Sequence, residues 1–544
     1  MPDWNGQQQQ HKKRVLVVGA GAAGSACAWS LSRHPEKFDV HVWEALPVPG
    51  GVASSATIRN GQQVINDQVQ GGSFSYRHNL NILERLGFQI TKVDMRIAFG
   101  KGDKQWTNHS PSKLTEQLKP EIAKFGRMLE FAKRFEAVCI FIPIVRLLKM
   151  WGFSDEFRNS MVFPLVALFF GTGNQTPLVS SAIISHVFLN PDLKIFDYSP
   201  ERLLSDVPET FTFPVLQHVF CAMADQGGYH ISCNRPVKRV TRPGKGVEVE
   251  DEQGVKEHFD DIVFACSAEI VLKVLQNPTW LEKTLLSQVQ YYLDYCITHE
   301  DTDYMRRMYV GPGQEERIDQ DNYFVRQYPE APEKIEMSFN LSTYQEHMKK
   351  GGIENPPPLY QTYYLDASNR HLWTDKEVDE SKIISKRWMR QFAHTYRHFA
   401  RWVPFGRFIQ GGGPGHCTFF AGSYTLFNTQ EIAMMSGLAA AERLGADYPF
   451  PHDKLASSQF DMFLGVVHGV TRRNKGNEKA AKESAAEQEA AVARAKEPKG
   501  QKEGSLLKAP ILPAEETAAP SIDLAPPADK QAEIAKRPTS TAAA

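Results

Sequence analysis

The sequence predicts an α/β protein in which a Rossmann-like domain, assembled from discontinuous segments, is interleaved with an α+β domain and followed by a disordered C-terminal tail. Three observations carry that reading. A glycine-rich turn lies between an apolar strand and a helix near the start, a second strand-rich stretch follows far downstream, and aromatic residues end at Phe463.

Residues 14–18 (RVLVV) read as a short buried parallel strand, 24–33 as the helix that covers it, and 38–44 (FDVHVWE) as the next strand, which together make a βαβ opening. The stretch 229–265 holds four further strand patterns, YHISC, PVKRVTR, GVEVED and DDIVFAC, separated by Pro243-Gly244 and Gln253-Gly254 turns. Between and after these pieces lie helix-rich, aromatic-rich insertions without a repeat. Segments 14–100, 215–270 and 400–463 are therefore expected to form the Rossmann-like domain, and 101–214 with 271–399 the second domain, after a flexible start at 1–13. From Lys475 onward the composition is Ala, Glu, Lys and Pro, too poor in apolar surface to offset chain entropy. The tail 474–544 is expected to be disordered, and its removal after Arg473 to leave the fold intact.

The composition excludes several classes. At 544 residues, with 42% apolar and 11% aromatic side chains, the chain can bury a large core. Its 62 basic and 63 acidic residues nearly cancel, so nothing suggests a nucleic-acid binder. The seven scattered cysteines include no C-x-x-C pair, which points to reduced thiols and away from a disulfide scaffold or a zinc site. The Gln-rich start does not resemble a signal peptide, and a cytoplasmic location is expected. The apolar run at 137–145 is too short to span a bilayer, which takes about 20 residues. Two readings of it stand: a buried helix containing Pro143, or an interfacial helix beside a lipophilic entrance carrying Arg146, Lys149 and Trp151.

Gly19-Ala20-Gly21-Ala22-Ala23-Gly24 is a G-x-G-x-x-G set between strand and helix, and Glu44 closes the second strand. The first glycine permits the tight turn, the second lets backbone N–H groups approach a pyrophosphate, and the third lets helix and strand pack closely. Glu44 is suited to accept bonds from both ribose hydroxyls of an adenosine, and its charge disfavours a 2′-phosphate. Gly50-Gly51 supplies a second turn along which a longer dinucleotide could run.

At these residues the chain resembles the FAD-dependent amine-oxidase superfamily, which includes monoamine and polyamine oxidases, phytoene-type desaturases and protoporphyrinogen oxidase. Further segments extend the likeness. Val69-Gln70-Gly71-Gly72-Ser73-Phe74 is similar to the family's acid-x-Gly-Gly-x-aromatic segment beside the isoalloxazine, with Val69 in place of the acid. Val237 falls on the strand whose backbone meets adenine. The stretch 418–440, with Ala421-Gly422-Ser423 and Gln430, resembles the closing strand-turn-helix along the ribityl chain and pyrimidine edge. Ser423 stands where the family often has an acid, and Cys417 lacks the context of a covalent flavin tether, so the resemblance implies non-covalent FAD. The likeness is nearest to a branch of predicted NAD/FAD-binding oxidoreductases.

What the resemblance implies is a FAD-dependent oxidoreductase that takes a hydride from an amine or from a C–C bond of an apolar small molecule, the flavin being reoxidised by dioxygen or another acceptor. The alternative is a flavin-binding protein without turnover that acts through interactions. No second dinucleotide motif occurs, so no NAD(P)H domain is expected. No catalytic base is assigned. His416 and Tyr424 flank the closing strand as either packing groups or proton carriers, Lys334 and Lys349 lie in segments that do not align, and no metal ligands are expected. Phe163, Phe169, Phe170, Phe188, Phe211, Phe213 and Tyr295 are expected to be mostly core, with a few lining an apolar pocket.

Overall fold

The structure, a computed structural model, describes residues 12–190, 195–311, 313–345, 347–348, 353–412, 415, 417–472 and 511–514. Strand β1 (Lys13–Val18) is central in a five-stranded parallel sheet and is flanked by β2 (Phe38–Trp43) and by Asp261–Phe264. His230–Ser232 lies outside β2, and Thr418–Phe420 outside Asp261–Phe264. Three distant parts of the chain thus complete one sheet, the discontinuous Rossmann-like assembly that the sequence predicts.

β1 shows no alternation of apolar and polar residues because both of its faces are covered. Val15 and Val17 enter the core shared with helix α1 (Ala22–Ser32), whereas Leu16 and Val18 face a second core with Val240, Val247 and Val249. Those three valines belong to an antiparallel meander formed by Val237–Thr241, Val247–Asp251 and Lys256–Phe259. α1 starts two residues before the expected 24, because Gly21 is already its extended N-cap. Its small residues let the helix Gln430–Leu444 pack against it: a Cβ on Gly437 would fall 2.0 Å from the Ala23 carbonyl oxygen.

A second, seven-stranded sheet runs in the order Ile383–Phe392, Tyr291–His299, Tyr360–Tyr364, Ala331–Asn340, Tyr323–Tyr328, Ile97–Phe99 and Trp106–Thr107. Pairing is antiparallel except between Tyr323–Tyr328 and Ile97–Phe99. Helices between residues 113 and 189 pack beside it, and Phe163, Phe170, Phe188, Phe211 and Phe213 are buried there as core. Phe169 and Tyr295 are half-buried. The 137–145 run is not one helix. It divides into Glu136–Cys139 and Ile144–Met150, with Pro143 as N-cap of the latter. Among the described residues no helix is long and apolar enough to cross a membrane.

Residues 1–11, 473–510 and 515–544 lie outside the described residues, and with them most of the 1–13 and 474–544 segments. Of the tail, residues 511–514 are described. They pair with the body of the protein, and Ala514 is buried. Low overall apolar content did not prevent one short segment from using an existing strand edge.

Candidate functional site

The turn between β1 and α1 has the geometry that its three glycines permit. Gly19 adopts φ +102°, and a Cβ there would come within 2.9 Å of the Ala265 carbonyl oxygen. At Gly24 the added carbon would lie 1.8 Å from the Gly19 carbonyl oxygen, so helix and turn touch through hydrogen alone. Gly21 differs: its φ is −72° and a Cβ meets nothing closer than 3.8 Å. Folding leaves room at Gly21, and the space outside it is where a ligand would approach. α1 has neither a side-chain cap nor an acid in its first turn, so Ala22 and Ala23 sit at an open, electropositive helix start. Gly50, at φ +132°, donates to the Ala20 carbonyl at 2.9 Å and pairs with Gly21, while Gly51 takes φ +58°.

Glu44 is buried at the end of β2. Its carboxylate accepts from the backbone N–H of Ala20 at 2.6 Å and of Leu46 at 2.8 Å. Burial raises its carboxyl above the ordinary range against those backbone donors, and no ion-pair partner is found for it among the described residues. Its backbone also fixes the neighbouring strand: Glu44 N–H donates to Ser232, and Arg235 N–H donates to the Glu44 carbonyl. The Arg235 guanidinium lies 3.6 Å from the Trp43 ring centre. Val237 follows two residues later, at the start of its strand.

The closing segment comes to the same end of α1, its start, where Gly437 of the helix that follows packs on Ala23. Gly422, at φ +144°, donates its N–H to Ser436 Oγ at 2.7 Å. Ser423 begins the short turn Ser423–Thr425. Gln430 opens the helix Gln430–Leu444, and its buried Nε2 has no hydrogen-bond partner among the described residues. Tyr424 is buried against Trp402, and its hydroxyl is likewise unpartnered. The ring thus packs in the core. His416 and Lys349 lie outside the described residues, and Lys334 is on a strand of the second sheet.

β5 (Gly71–Ser73) forms the remaining wall. A Cβ on Gly71 would fall 1.9 Å from Tyr344 Oη, and one on Gly72 would fall 2.6 Å from the Tyr76 ring. Tyr323, Phe339 and Tyr363 on the second sheet, with Tyr344 at the end of the short helix Leu341–Tyr344, form a connected aromatic wall with neighbouring ring centres 5.1–5.3 Å apart. The residues joining β5 to that sheet were not found by sequence reasoning. Asp67 accepts from Gln361 Nε2 at 2.9 Å and pairs with Arg387, and Gln361 in turn accepts from Gln70 and Tyr363. Asp67 lies just outside the Val69–Phe74 motif, so position could have flagged it; its cation partner 320 residues away could not be inferred. His394 was also missed. Its Nδ1 accepts the Asn428 N–H at 3.3 Å, and burial holds the ring neutral, its pKa down to about 3.

Among the described residues the site therefore offers an open helix start, a buried carboxylate without a cation partner, and two buried polar atoms, Gln430 Nε2 and Tyr424 Oη, without hydrogen-bond partners. These suit a dinucleotide with a diphosphate, a ribose and a polar ring edge, and so fit FAD.

Comparison with known proteins agrees in fold. Residues 17–85 match the family described as an NAD(P)-binding Rossmann-like domain. Among solved structures, a CLA-producing fatty acid isomerase from P. acnes is similar at TM-score 0.56 and 15% identity, covering 80% of this chain and 99% of that one. A putrescine oxidase bound to putrescine gives TM-score 0.56 at 12% identity, with 80% and 100% coverage. A candidate protoporphyrinogen oxidase from Exiguobacterium sp. 255-15 gives 0.55 at 13%, with 80% and 99%. No curated protein matches by sequence.

Proposed function

We propose that this chain, which has the fold of the FAD-dependent amine-oxidase superfamily, binds FAD non-covalently and oxidises a small molecule by taking a hydride from an amine or from a C–C bond. The observation that carries the proposal is the space left at Gly21, between an uncapped α1 and a buried Glu44 that has no cation partner among the described residues. When bound, FAD supplies the hydride-accepting chemistry. The α1 start would hold the diphosphate, Glu44 the ribose hydroxyls, Val237 the adenine, and Gly422, Ser423 and Gln430 the ribityl chain and ring edge. The aromatic wall of Tyr323, Phe339, Tyr344 and Tyr363 would exclude water from the face beside Gly72 and Ser73.

The apolar-substrate form of the proposal is supported by an exposed cluster at the 131–150 surface. Phe135, Val138, Phe141 and Met150 are 46–69% exposed, and Phe131 bridges Phe135 and Trp151 with ring centres at 4.8 and 5.6 Å. Lys133, Arg134, Arg146 and Lys149 are exposed around these side chains. Exposed apolar side chains in a stretch with four exposed cations against the two exposed acids Glu130 and Glu136 suit peripheral contact with an anionic membrane. A cleft of about 620 Å³ opens beside this surface; Val145, Phe163 and Pro177 line it together with Asp155, Glu156 and Arg158. The amine form has its own support: a cleft of about 360 Å³ beside Ser73 and Phe74 is lined by Asp197, Asp206 and Glu209.

The purified protein's visible spectrum tests the cofactor, and acid precipitation should release all the yellow colour into the supernatant. Anaerobic bleaching by a series of alkyl amines and unsaturated acyl lipids then separates the two substrate forms. Colour that stays with the pellet rejects non-covalent binding. A colourless protein that does not take up added FAD rejects the cofactor.

A further inference from the structure

Strand β3 (Ser55–Ile58) pairs on one edge with β4 (Gln63–Asn66). Its other edge takes a segment from the far C-terminus. The Thr57 N–H donates to the Leu512 carbonyl at 2.9 Å, the Ala514 N–H donates to the Thr57 carbonyl at 2.9 Å, and Pro513 forms the parallel bridge between them. Both bonds come from the residues flanking Pro513, so the missing proline N–H costs nothing at this edge. Ala514 is buried in an apolar pocket with Ala56, Ile58, Ile65, Leu341 and Leu359.

This contact reaches beyond the hairpin. The Ala514 carbonyl accepts from Arg387 Nη2 at 2.6 Å, and Nη1 of the same guanidinium pairs with the buried Asp67. Asp67 is in turn fixed by its N–H to the Ser54 carbonyl and by Gln361, which also receives Gln70. Gln70 immediately precedes Gly71 of β5. One connected network thus runs from the tail through Arg387 and Asp67 to the loop that carries Gly72 and Ser73.

We propose that Ile511–Ala514 is an intramolecular docking strand. It occupies the β3 edge and, through Ala514, Arg387 and Asp67, holds the 67–73 loop in the shape that retains flavin. The β3 edge is thereby a peptide-binding site whose occupant is this chain's own tail. Roughly 38 residues lie between Arg472 and Ile511, a contour of about 125 Å, so docking within one chain is within reach. The strand-docking part stands on backbone pairing alone; the flavin part rests on the cofactor reading above.

The test uses the full chain, Ala514→Glu in the full chain, and a chain ending at residue 510. Three readouts are taken: apoprotein melting temperature, FAD dissociation rate, and binding of a synthetic peptide of residues 508–517 to the shortened chain. Docking predicts a lower melting temperature in both variants, by about 3–6 °C, and restoration of the shortened chain by the peptide. Coupling to the cofactor loop predicts FAD release roughly tenfold faster, the scale of one charged hydrogen bond. Unchanged melting together with no peptide binding overturns the docking strand. Lower melting and peptide binding with unchanged FAD release overturn the coupling alone. A full chain that is dimeric while the shortened chain is monomeric overturns docking within one chain in favour of exchange between copies. If no form takes up FAD, the cofactor reading fails, and melting and peptide binding still decide the docking strand.

Discussion

Gly21 and Gly24 are three residues apart and face opposite demands, so alanine at each separates ligand binding from folding. At Gly21 the backbone is extended, with φ −72°, and an added Cβ meets the Gly50 carbonyl at 3.8 Å and Gly51 Cα at 4.0 Å, both ordinary contacts. Gly21→Ala should therefore leave the apoprotein as stable as the parent or up to about 1 kcal/mol more stable, since the unfolded chain loses freedom. At Gly24 the new carbon would sit 1.8 Å from the Gly19 carbonyl oxygen, which is backbone and cannot rotate away. Gly24→Ala should cost at least about 1–3 kcal/mol, the scale of overpacking. For FAD the order reverses in cause. The Gly21 methyl projects into the space through which a diphosphate meets the α1 N–H groups, and losing one charge-assisted hydrogen bond weakens binding by about 1.5–3 kcal/mol, or roughly 10- to 150-fold. Apoprotein melting and flavin-fluorescence titration measure the two effects. Parent-like FAD affinity in Gly21→Ala, or a loss of apoprotein stability equal to that of Gly24→Ala, would refute the assignment of this space to a ligand.

Three further outcomes are expected. Glu44→Ala should raise the FAD dissociation constant roughly 10- to 100-fold, on the scale of lost charged hydrogen bonds, as read by the same titration. Asp294 is fully buried beside Asp366, and burial raises its carboxyl from 3.8 to about 7. Its proton thus favours the folded state below pH 4, and that contribution is lost as pH rises through 7. Asp294→Asn keeps an oxygen for the Asp366 N–H, so its unfolding free energy should match the parent near pH 4 and exceed it near pH 8, by up to about 4 kcal/mol, as read by denaturant unfolding; equal differences at both pH values would contradict this. Finally, Phe141→Asp should reduce sedimentation with anionic vesicles severalfold without changing the melting temperature, because the side chain is 51% exposed. Ile142 is a poorer probe, since it is half-buried and its carbonyl accepts from Ser181.

The sequence by itself determined the βαβ opening, because everything that motif needs is local. The positive φ of Gly19, the close packing at Gly24 and the position of Glu44 at the end of β2 all follow from residue types within one strand-turn-helix-strand unit. Four strand patterns at 229–265 were legible from their β-branched residues and turn punctuation, whereas the fifth strand, Lys256–Phe259, was not, because its polar residues form the outer edge of the meander. The unbroken apolar run of β1 was legible as a strand covered on both faces, although the meander that covers the second face could not be assigned to it in advance.

Tertiary structure alone decided what depends on partners far apart in sequence. Asp67 becomes a structural acid only because Arg387 and Gln361 arrive on strands of another sheet. The 137–145 run read first as a buried helix, with an interfacial helix as the alternative, and packing divided it: Cys139 and Ile144 turned inward, Val138 and Phe141 outward. The tail shows the same limit from the other side. Counted over its length it has too little apolar surface to fold, yet Ile511–Ala514 needed no core of its own. A free strand edge, one buried pocket and a guanidinium offered by the folded body supplied the partners, and none of these is encoded within the tail itself.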